Sequence, residues 1–366
     1  MRYMRPKIKH GLMVLPLFLL VFSFSFKNSK STLENTFTYQ GKTYKAGDTV
    51  YGFKQYVKLV VGDEDAPLIL GVPHDGINIG KPEIPETGTT GRDINTLPLA
   101  FKIAANFKSS TQKRAWIMIN TIARKRMDPN TFPSEVDNRY QNEDAKNTYL
   151  SYHSLLKAAI AYMAEHQKNS KGALFLDLHG QAHTYQSPQT YISVTGKTLE
   201  SKFIDQTELG YGLSNYAISQ SDEYLDQLAD SSSIAAIAKA NPTVRFSELI
   251  RGPYSFGGLL ENEKVIAVPG TNLKTLEANA DLFGADAEGN PKKRPYFNGG
   301  YCTRKYGTVI LGSIKGFQDK ISSIQAETPG ITIRNNENIR EVAAERFNRA
   351  IIGYLNKWYG YSYKSK

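Results

Sequence analysis

Short apolar runs of β type alternate with longer segments of helical periodicity along this chain. The run Ala173–Leu178 is almost wholly apolar, which is typical of a strand that is covered on both faces. Leu68–Val72 and Ala115–Thr121 are similar β-type runs, whereas Leu97–Phe107 and Asp144–His166 have apolar residues at helical spacing. Strands separated by helices predict a mixed, largely parallel sheet with helices on both faces, that is, a three-layer α/β/α sandwich.

Further elements follow from the same patterns. Thr36–Tyr44 alternates polar and aromatic residues like an edge hairpin strand. The other predicted strands are Gln55–Val61, Thr190–Thr195, Val265–Pro269, Tyr306–Leu311 and Ser322–Glu327. The predicted helices are Ser231–Lys239 and a closing helix at Glu337–Trp358. Because no Pro/Gly/Ser-rich linker interrupts residues 36–360, we predict a single domain there.

Residues 1–30 have the composition of an export signal. Positive residues precede an apolar run from Leu12 to Phe26, which is shorter than the roughly 20 residues that span a bilayer. We predict a signal peptide and a periplasmic or extracellular protein; an uncleaved N-terminal membrane anchor is the alternative. Cys302 is the only cysteine, so an internal disulfide is excluded.

The formal net charge of +10 does not indicate a nucleic-acid-binding protein. Four of these charges precede the apolar run, at Arg2, Arg5, Lys7 and Lys9, which leaves 10 − 4 = +6 for the rest of the chain. These charges are spread along the chain rather than forming a basic stripe with interleaved aromatic residues. A solvated basic surface that favours small anionic substrates is the better interpretation.

Two of the six histidines, His74 and His179, each come at the end of a β-type run and before a glycine. The carboxyl ends of parallel strands converge on one crevice, where ligands bind in α/β proteins. A catalytic zinc takes three protein ligands, so a nearby carboxylate from Glu83, Glu86 or Asp93 is expected. We prefer Asp93, which comes just before a predicted helix. The alternative is that each histidine is a hydrogen-bonded turn residue.

Other polar residues have predicted roles near these histidines. Asp177 precedes His179 by two positions on the same side of its strand, so it could orient the imidazole. His183 is a secondary ligand candidate, and His153 and His166 are interpreted as structural residues of the amphipathic helix. Arg124 and Arg126 follow a strand, and a guanidinium matches a substrate carboxylate with two parallel hydrogen bonds.

The sequence resembles the N-formylglutamate amidohydrolase family from about Leu68 to Trp358. The motifs that carry the resemblance occur in the family's order: Pro73-His74-Asp-Gly76, Asp93-x-Asn95-Thr96, Ala123-Arg124-x-x-x-Asp128-x-Asn130, Tyr152-His153, Asp177-Leu-His179-Gly180, Arg251-Gly-x-x-Ser255-x-Gly257 and Tyr296-Phe-x-Gly-Gly-Tyr301. This family is related to the zinc carboxypeptidases and aspartoacylases. The resemblance implies a phosphorylase/hydrolase-like α/β/α sandwich.

The resemblance also implies roles for individual residues. His74, Asp93 and His179 would bind one Zn²⁺ per chain, and Glu327 in Gln325-Ala-Glu327 would be the general base. Asn130, Gly299, Gly300 and Tyr301 would line the substrate pocket. The family has an arginine directly after the asparagine, where this chain has Thr131, so Arg139 could supply the missing guanidinium from a longer loop.

The sequence therefore predicts a secreted zinc-dependent hydrolase. Its expected substrate is an N-acyl amino acid or short peptide that bears a carboxylate, in which it would cleave an amide bond. No nucleic acid is expected as a partner. Contact with a membrane is expected only if the N-terminal segment is not cleaved. The alternative is a catalytically silent binding protein that keeps the fold and recognises an anionic ligand.

Overall fold

The computed structural model describes residues 36–78, 82–167, 172–183, 186–307, 310–311, 314–317 and 319–364. The predicted signal segment lies outside these residues. Asn35–Lys366 form one compact unit. In the described part of the chain, each helix is too short or too polar to cross a bilayer.

The described residues form strands and helices that alternate along the chain. The strands are β1 (Phe37–Tyr39), β2 (Lys42–Tyr44), β3 (Thr49–Tyr51), β4 (Val57–Val60), β5 (Leu68–Val72), β6 (Trp116–Asn120), β7 (Ala173–Gly180), β8 (Gln186–Ile192), β9 (Thr198–Phe203), β10 (Thr207–Gly210), β11 (Ala267–Val268), β12 (Ile310–Leu311), β13 (Ile314–Lys315) and β14 (Ile321–Thr328). The helices are α1 (Thr96–Thr111), α2 (Pro133–Tyr140), α3 (Glu143–His166), α4 (Asn215–Ser219), α5 (Asp222–Asp226), α6 (Ala235–Ala240), α7 (Phe246–Arg251), α8 (Phe256–Asn262), α9 (Ala280–Phe283), α10 (Tyr301–Tyr306) and α11 (Glu337–Tyr359). Short helical turns also occur at Phe53–Gln55, Ala229–Ser231 and Gly330–Arg334.

Eight of the strands form one mixed sheet in the order β11-β10-β14-β7-β5-β6-β4-β3. The four central strands, β14, β7, β5 and β6, are parallel to one another. Strands β10 and β4 are antiparallel to their central neighbours. The hairpins β1–β2, β8–β9 and β12–β13 each form a separate two-stranded ribbon. The predicted mixed, largely parallel sheet is therefore confirmed.

Helices cover both faces of the central sheet. Successive side chains of a strand point to opposite faces, so one strand contributes to two separate core clusters. Leu174, Leu176 and Leu178 of β7 belong to one core cluster with residues of α1 and α11. Phe175, between them in sequence, belongs to a second cluster with residues of α3 and α10. The near-continuous apolar run of β7 is thus explained by burial on both faces, and the three-layer sandwich is confirmed.

Thr36–Tyr44 forms the hairpin β1–β2, because Gln40 and Gly41 adopt positive φ values of 48° and 74° and reverse the chain. The predicted strand Tyr306–Leu311 differs from the structure. In Tyr306–Leu311, Tyr306 ends helix α10, and only Ile310–Leu311 of the described residues are strand. Cys302 and Tyr306 are buried at helical spacing in the core cluster with α3, and this packing favours the helix.

Candidate metal centre

The two candidate histidines meet at the carboxyl edge of the sheet. His74 follows β5 after one residue, and His179 is the second-last residue of the adjacent parallel strand β7. Both side chains are buried, with 2% of their surface exposed. Their ring centroids lie 4.7 Å apart at an interplanar angle of 75°. The two imidazoles therefore face one small volume, as the strand positions predict.

Asp93 completes this group of three. Its backbone N–H donates to the His74 carbonyl oxygen at 3.1 Å. Its Oδ2 atom lies 3.3 Å from Nδ1 of His74 and 3.3 Å from Nδ1 of His179, and it also accepts the Gly180 N–H at 3.0 Å. Within the described residues, His74, Asp93 and His179 offer ligand atoms that all lie within 4.8 Å of one another, so the group could hold a metal ion.

The competing carboxylates from the same loop are directed elsewhere. Glu86 forms ion pairs with Lys125 at 2.6 Å and with Arg126 at 2.8 Å. Glu83 is exposed, whereas Asp93 is buried with 5% of its surface accessible. Of the three carboxylates considered from the sequence, Asp93 is the one that the structure places beside both histidines.

A buried carboxylate holds the outer nitrogen of each imidazole. Nε2 of His74 lies 2.8 Å from Oδ1 of Asp128, and Nε2 of His179 lies 3.1 Å from Oδ2 of Asp177. A histidine that donates through one ring nitrogen to a carboxylate presents the lone pair of the other nitrogen, as metal-binding histidines do. The contact between Asp177 and His179 is the one expected from their spacing. No role for Asp128 was predicted, although it follows strand β6 in the quoted motif.

The electrostatics of the cluster favour the ionised form of Asp93. Burial alone would raise the pKa of Asp93, but the adjacent His74 and His179 hold it well below its usual range. Burial likewise opposes charge on His74, yet the Asp128 carboxylate raises the pKa of this imidazole above its usual value. Buried carboxylates that stay charged require a positive partner, which protonated imidazoles or a metal cation supply.

Glu327 lies on the other side of His179. Strand β14 places it directly opposite His179 in the parallel register, and its Oε1 atom lies 3.8 Å from Nδ1 of that histidine. Gln325 donates to Oε1 of Glu327 at 2.7 Å and accepts the Gly300 N–H at 2.7 Å, so it fixes the carboxylate against the neighbouring loop. Burial raises the pKa of Glu327 to about 7.

A cavity of about 410 Å³ opens over this cluster. Besides the three candidate ligands and Glu327, the residues that line it are Gly91, Arg92, Arg124, Asn130, Gly180, Ala182, Tyr296, Phe297, Asn298, Gly299, Gly300 and Gln325. Arg124 pairs with Asp128 at 2.9 Å, and its Nη1 atom lies 3.9 Å from Oδ1 of Asp93. Arg92, which has no predicted role, pairs with Asp75 at 2.7 Å.

The structure does not bring all the predicted substrate residues to this cavity. Arg126 donates to the Pro82 carbonyl and pairs with Glu86, and Arg139 pairs with Glu135 on its own helix at 3.1 Å. These ion pairs direct the two guanidinium groups away from the cavity.

The other predicted residues are placed by backbone contacts. Asn130 lines the cavity, but its Oδ1 atom accepts the Cys302 N–H at 2.8 Å. Gly299 and Gly300 also line the cavity, and Gln325 accepts the N–H of Gly300. Tyr301 begins helix α10 and is absent from the cavity lining, with its ring 5.4 Å from that of His153.

A second buried polar group lies next to the cavity. Glu208 of β10 is fully buried; its Oε1 atom contacts Nε2 of His183 at 2.6 Å and accepts a hydrogen bond from Arg294, and its Oε2 atom accepts the Phe297 N–H at 3.1 Å. No role was predicted for Glu208 or Arg294. Leu209 is the one aliphatic residue of the short segment Thr207–Gly210, so no apolar run marked Glu208 as buried.

Comparisons with known proteins add little beyond this geometry. No family model and no curated protein matches the chain. The crystal structure of N-formylglutamate amidohydrolase from Ralstonia eutropha JMP134 is weakly similar, with a TM-score of 0.40 and 12% identity over 81% of this chain and 95% of that chain. The function is therefore inferred from the site itself.

Proposed function

We propose that this protein is a zinc-dependent hydrolase that cleaves an amide bond in an N-acyl amino acid or short peptide bearing a carboxylate. One observation carries the proposal. The Nδ1 atoms of His74 and His179 both lie 3.3 Å from one oxygen of Asp93, while their Nε2 atoms each contact a buried carboxylate. The ordered motifs that resemble the N-formylglutamate amidohydrolase family support the same reaction class.

The donor set fits zinc. Two imidazole nitrogens and one carboxylate oxygen are a common set for catalytic zinc, which keeps its fourth position open. When bound, zinc acts as a Lewis acid that polarises a carbonyl group and lowers the pKa of water. Asp128 and Asp177 orient the two imidazoles for this role, because each accepts from the outer ring nitrogen.

Glu327 is the proposed general base. Its carboxylate lines the cavity beside His179 and is held by Gln325. In amide hydrolysis, the water oxygen forms a bond to the carbonyl carbon and the carbon–nitrogen bond breaks. A carboxylate at this position takes the proton from the attacking water and returns it to the leaving amine.

Arg124 is the proposed binding residue for the substrate carboxylate. It lines the cavity on the side of Asp93 and Asp128, and its side chain is 22% exposed. Asp128 occupies the Nε and Nη2 atoms of the guanidinium, at 3.3 Å and 2.9 Å, and thereby fixes its plane. A guanidinium with a fixed plane binds a carboxylate at a low entropic cost. We also propose that the protein is exported, because of its predicted signal segment.

Elemental analysis and kinetics test the proposal together. We expect about one zinc per chain and chelator-sensitive release of amine from a panel of N-acyl amino acids and short peptides. His179→Ala should lose metal and activity together. Glu327→Gln should keep the metal but lose about 10²- to 10⁴-fold in turnover. His166→Ala is the matched control, since His166 ends helix α3 and contacts Tyr162 of that helix and Glu64 of the segment before β5, outside the cluster.

Two results would contradict the proposal. Full metal content and activity in His179→Ala would exclude this histidine as a ligand. A protein that binds zinc but releases no amine from any compound would favour the silent binding protein.

A further inference from the structure

Phe297 is a large apolar side chain on the wall of the cavity. Its exposed fraction is 38%, and Tyr296 and Ala182 line the cavity beside it. The lining also contains Arg92 and Arg124. The cavity thus has an apolar region and a cationic region rather than a uniform surface.

The Phe297 ring is held in place by buried groups. Its backbone N–H donates to Oε2 of Glu208, and its ring packs on the His183 ring with centroids 5.2 Å apart and an angle of 33° between the planes. Glu208 also contacts His183 and Arg294. An aromatic surface fixed in this way binds a partner ring without losing its own conformational freedom.

The sheet order separates this ring from the arginines. The Phe297 N–H donates to Glu208 of β10, and Arg124 follows β6. The strands between β10 and β6 are β14, β7 and β5. At about 4.8 Å per strand, four steps separate β10 from β6 by about 19 Å. The histidines lie between these strands, with His74 just after β5 and His179 on β7. Glu327 on β14 lies on the Phe297 side of them.

We propose that the substrate is an N-acyl amino acid with an aromatic or similarly bulky apolar acyl group. This inference rests on the proposed function. The carboxylate of the amino-acid half binds at Arg124, the amide lies over the histidines, and the acyl group extends past Glu327 to stack on Phe297. Strand β10 is two steps, or about 10 Å, from the His179 strand. A formyl group has no atoms beyond the reacting carbonyl, so it would leave the Phe297 ring in water.

The test varies only the acyl group. N-formylglycine, N-acetylglycine and N-benzoylglycine are compared as substrates of the zinc-loaded protein. We expect kcat/KM for the benzoyl compound to exceed that for the acetyl compound by about 10- to 100-fold, from burial of the ring. Phe297→Ala should abolish this ratio and Phe297→Leu should keep part of it. Phe132→Ala is the matched control, since Phe132 has the same 38% exposure and is absent from the cavity lining.

Binding measurements separate failure of this inference from failure of the proposed function. Calorimetry on Glu327→Gln, with Phe297 either intact or replaced by alanine, reports affinity without turnover. Tighter binding of N-benzoylglycine that depends on Phe297, with no hydrolysis by the wild type, would keep this inference and reject the function. Equal kcat/KM for the acetyl and benzoyl compounds, or equal losses for all three compounds in Phe297→Ala, would overturn the inference.

Discussion

Removing Arg294 should strongly destabilise the protein, because it would leave a buried carboxylate without its cationic partner. Arg294 is 1% exposed and contacts Glu208, which is fully buried. Its Nη2 atom also donates to Gln206 at 2.9 Å. In Arg294→Met, the partners of the Glu208 carboxylate among the described residues would be His183 and the Phe297 N–H.

The expected loss follows from the cost of an uncompensated buried charge. Breaking a buried ion pair on one side costs about 3–5 kcal/mol. The Nε atom of Arg294 has no hydrogen-bond partner among the described residues, so the pair is incompletely satisfied and we expect the lower end, about 3 kcal/mol. Arg294→Met combined with Glu208→Gln removes the charge as well as its partner. The double variant should therefore lose less than the sum of the two single variants, by about 1–3 kcal/mol.

Equilibrium unfolding in urea, analysed as a double-mutant cycle, measures these differences in the free energy of unfolding. Arg245→Met is the control, since Arg245 is exposed and pairs with Glu223 and Asp226 on the surface. This control should lose at most about 1 kcal/mol. A loss below 1 kcal/mol in Arg294→Met, or additive losses within about 0.5 kcal/mol, would refute the reasoning.

Two further substitutions test other parts of the structure. Burial raises the pKa of Asp205 from 3.8 to about 6, so the folded protein binds this proton more tightly than the unfolded chain, and stability is lost as the pH rises from about 4 through 6. In urea unfolding, the free energy of unfolding of Asp205→Asn relative to the wild type should therefore rise by on the order of 2 kcal/mol from pH 4 to pH 7.5. A stability difference between the two proteins that does not change with pH would contradict this. In Gly210→Ala, the new Cβ would lie 2.4 Å from the Gly299 nitrogen. We therefore expect the free energy of unfolding to fall by about 1–3 kcal/mol and kcat/KM to fall as well. Gly353→Ala is the control: its nearest contact would be a flexible leucine methyl at 3.3 Å, so it should be neutral or stabilising. Equal stability changes in the two variants would contradict the steric argument.

The long elements could be predicted because burial leaves a periodic record in the sequence. Leu68–Val72 matches β5, and the predicted helix Asp144–His166 differs from α3 by one residue. In both, packing of apolar side chains against a neighbouring layer decides the conformation. Short elements such as β10 and α10 were not predicted correctly, since few residues contribute and contacts distant in sequence decide their form.

The predicted arginines show where sequence reasoning reaches its limit. Arg124 and Arg126 follow the same strand, and either could bind a carboxylate by chemistry alone. The turn after β6 points Arg124 to Asp128 and the cavity, but it points Arg126 to Glu86 and to carbonyl oxygens of the 82–84 segment. Side-chain direction within a turn depends on such local contacts, which spacing in the sequence does not specify.

The polar residues inside apolar strands carry more information than their motifs alone. Asp177 and His179 in β7, Gln325 and Glu327 in β14, and Glu208 in β10 are all buried in adjacent strands. A buried charged group is tolerated only with partners, so such residues in neighbouring strands must contact one another or a bound ion. Burial in β7 and β14, which were both predicted, could therefore have indicated a polar network at this edge of the sheet, whereas Glu208 lies in β10, which was not predicted. The network has a candidate metal-binding half at His179 and a second half at Glu208, and this division depends on strand order and register. Residue Glu327 of β14 pairs with Glu208 of β10 and with His179 of β7, so it lies between the two halves.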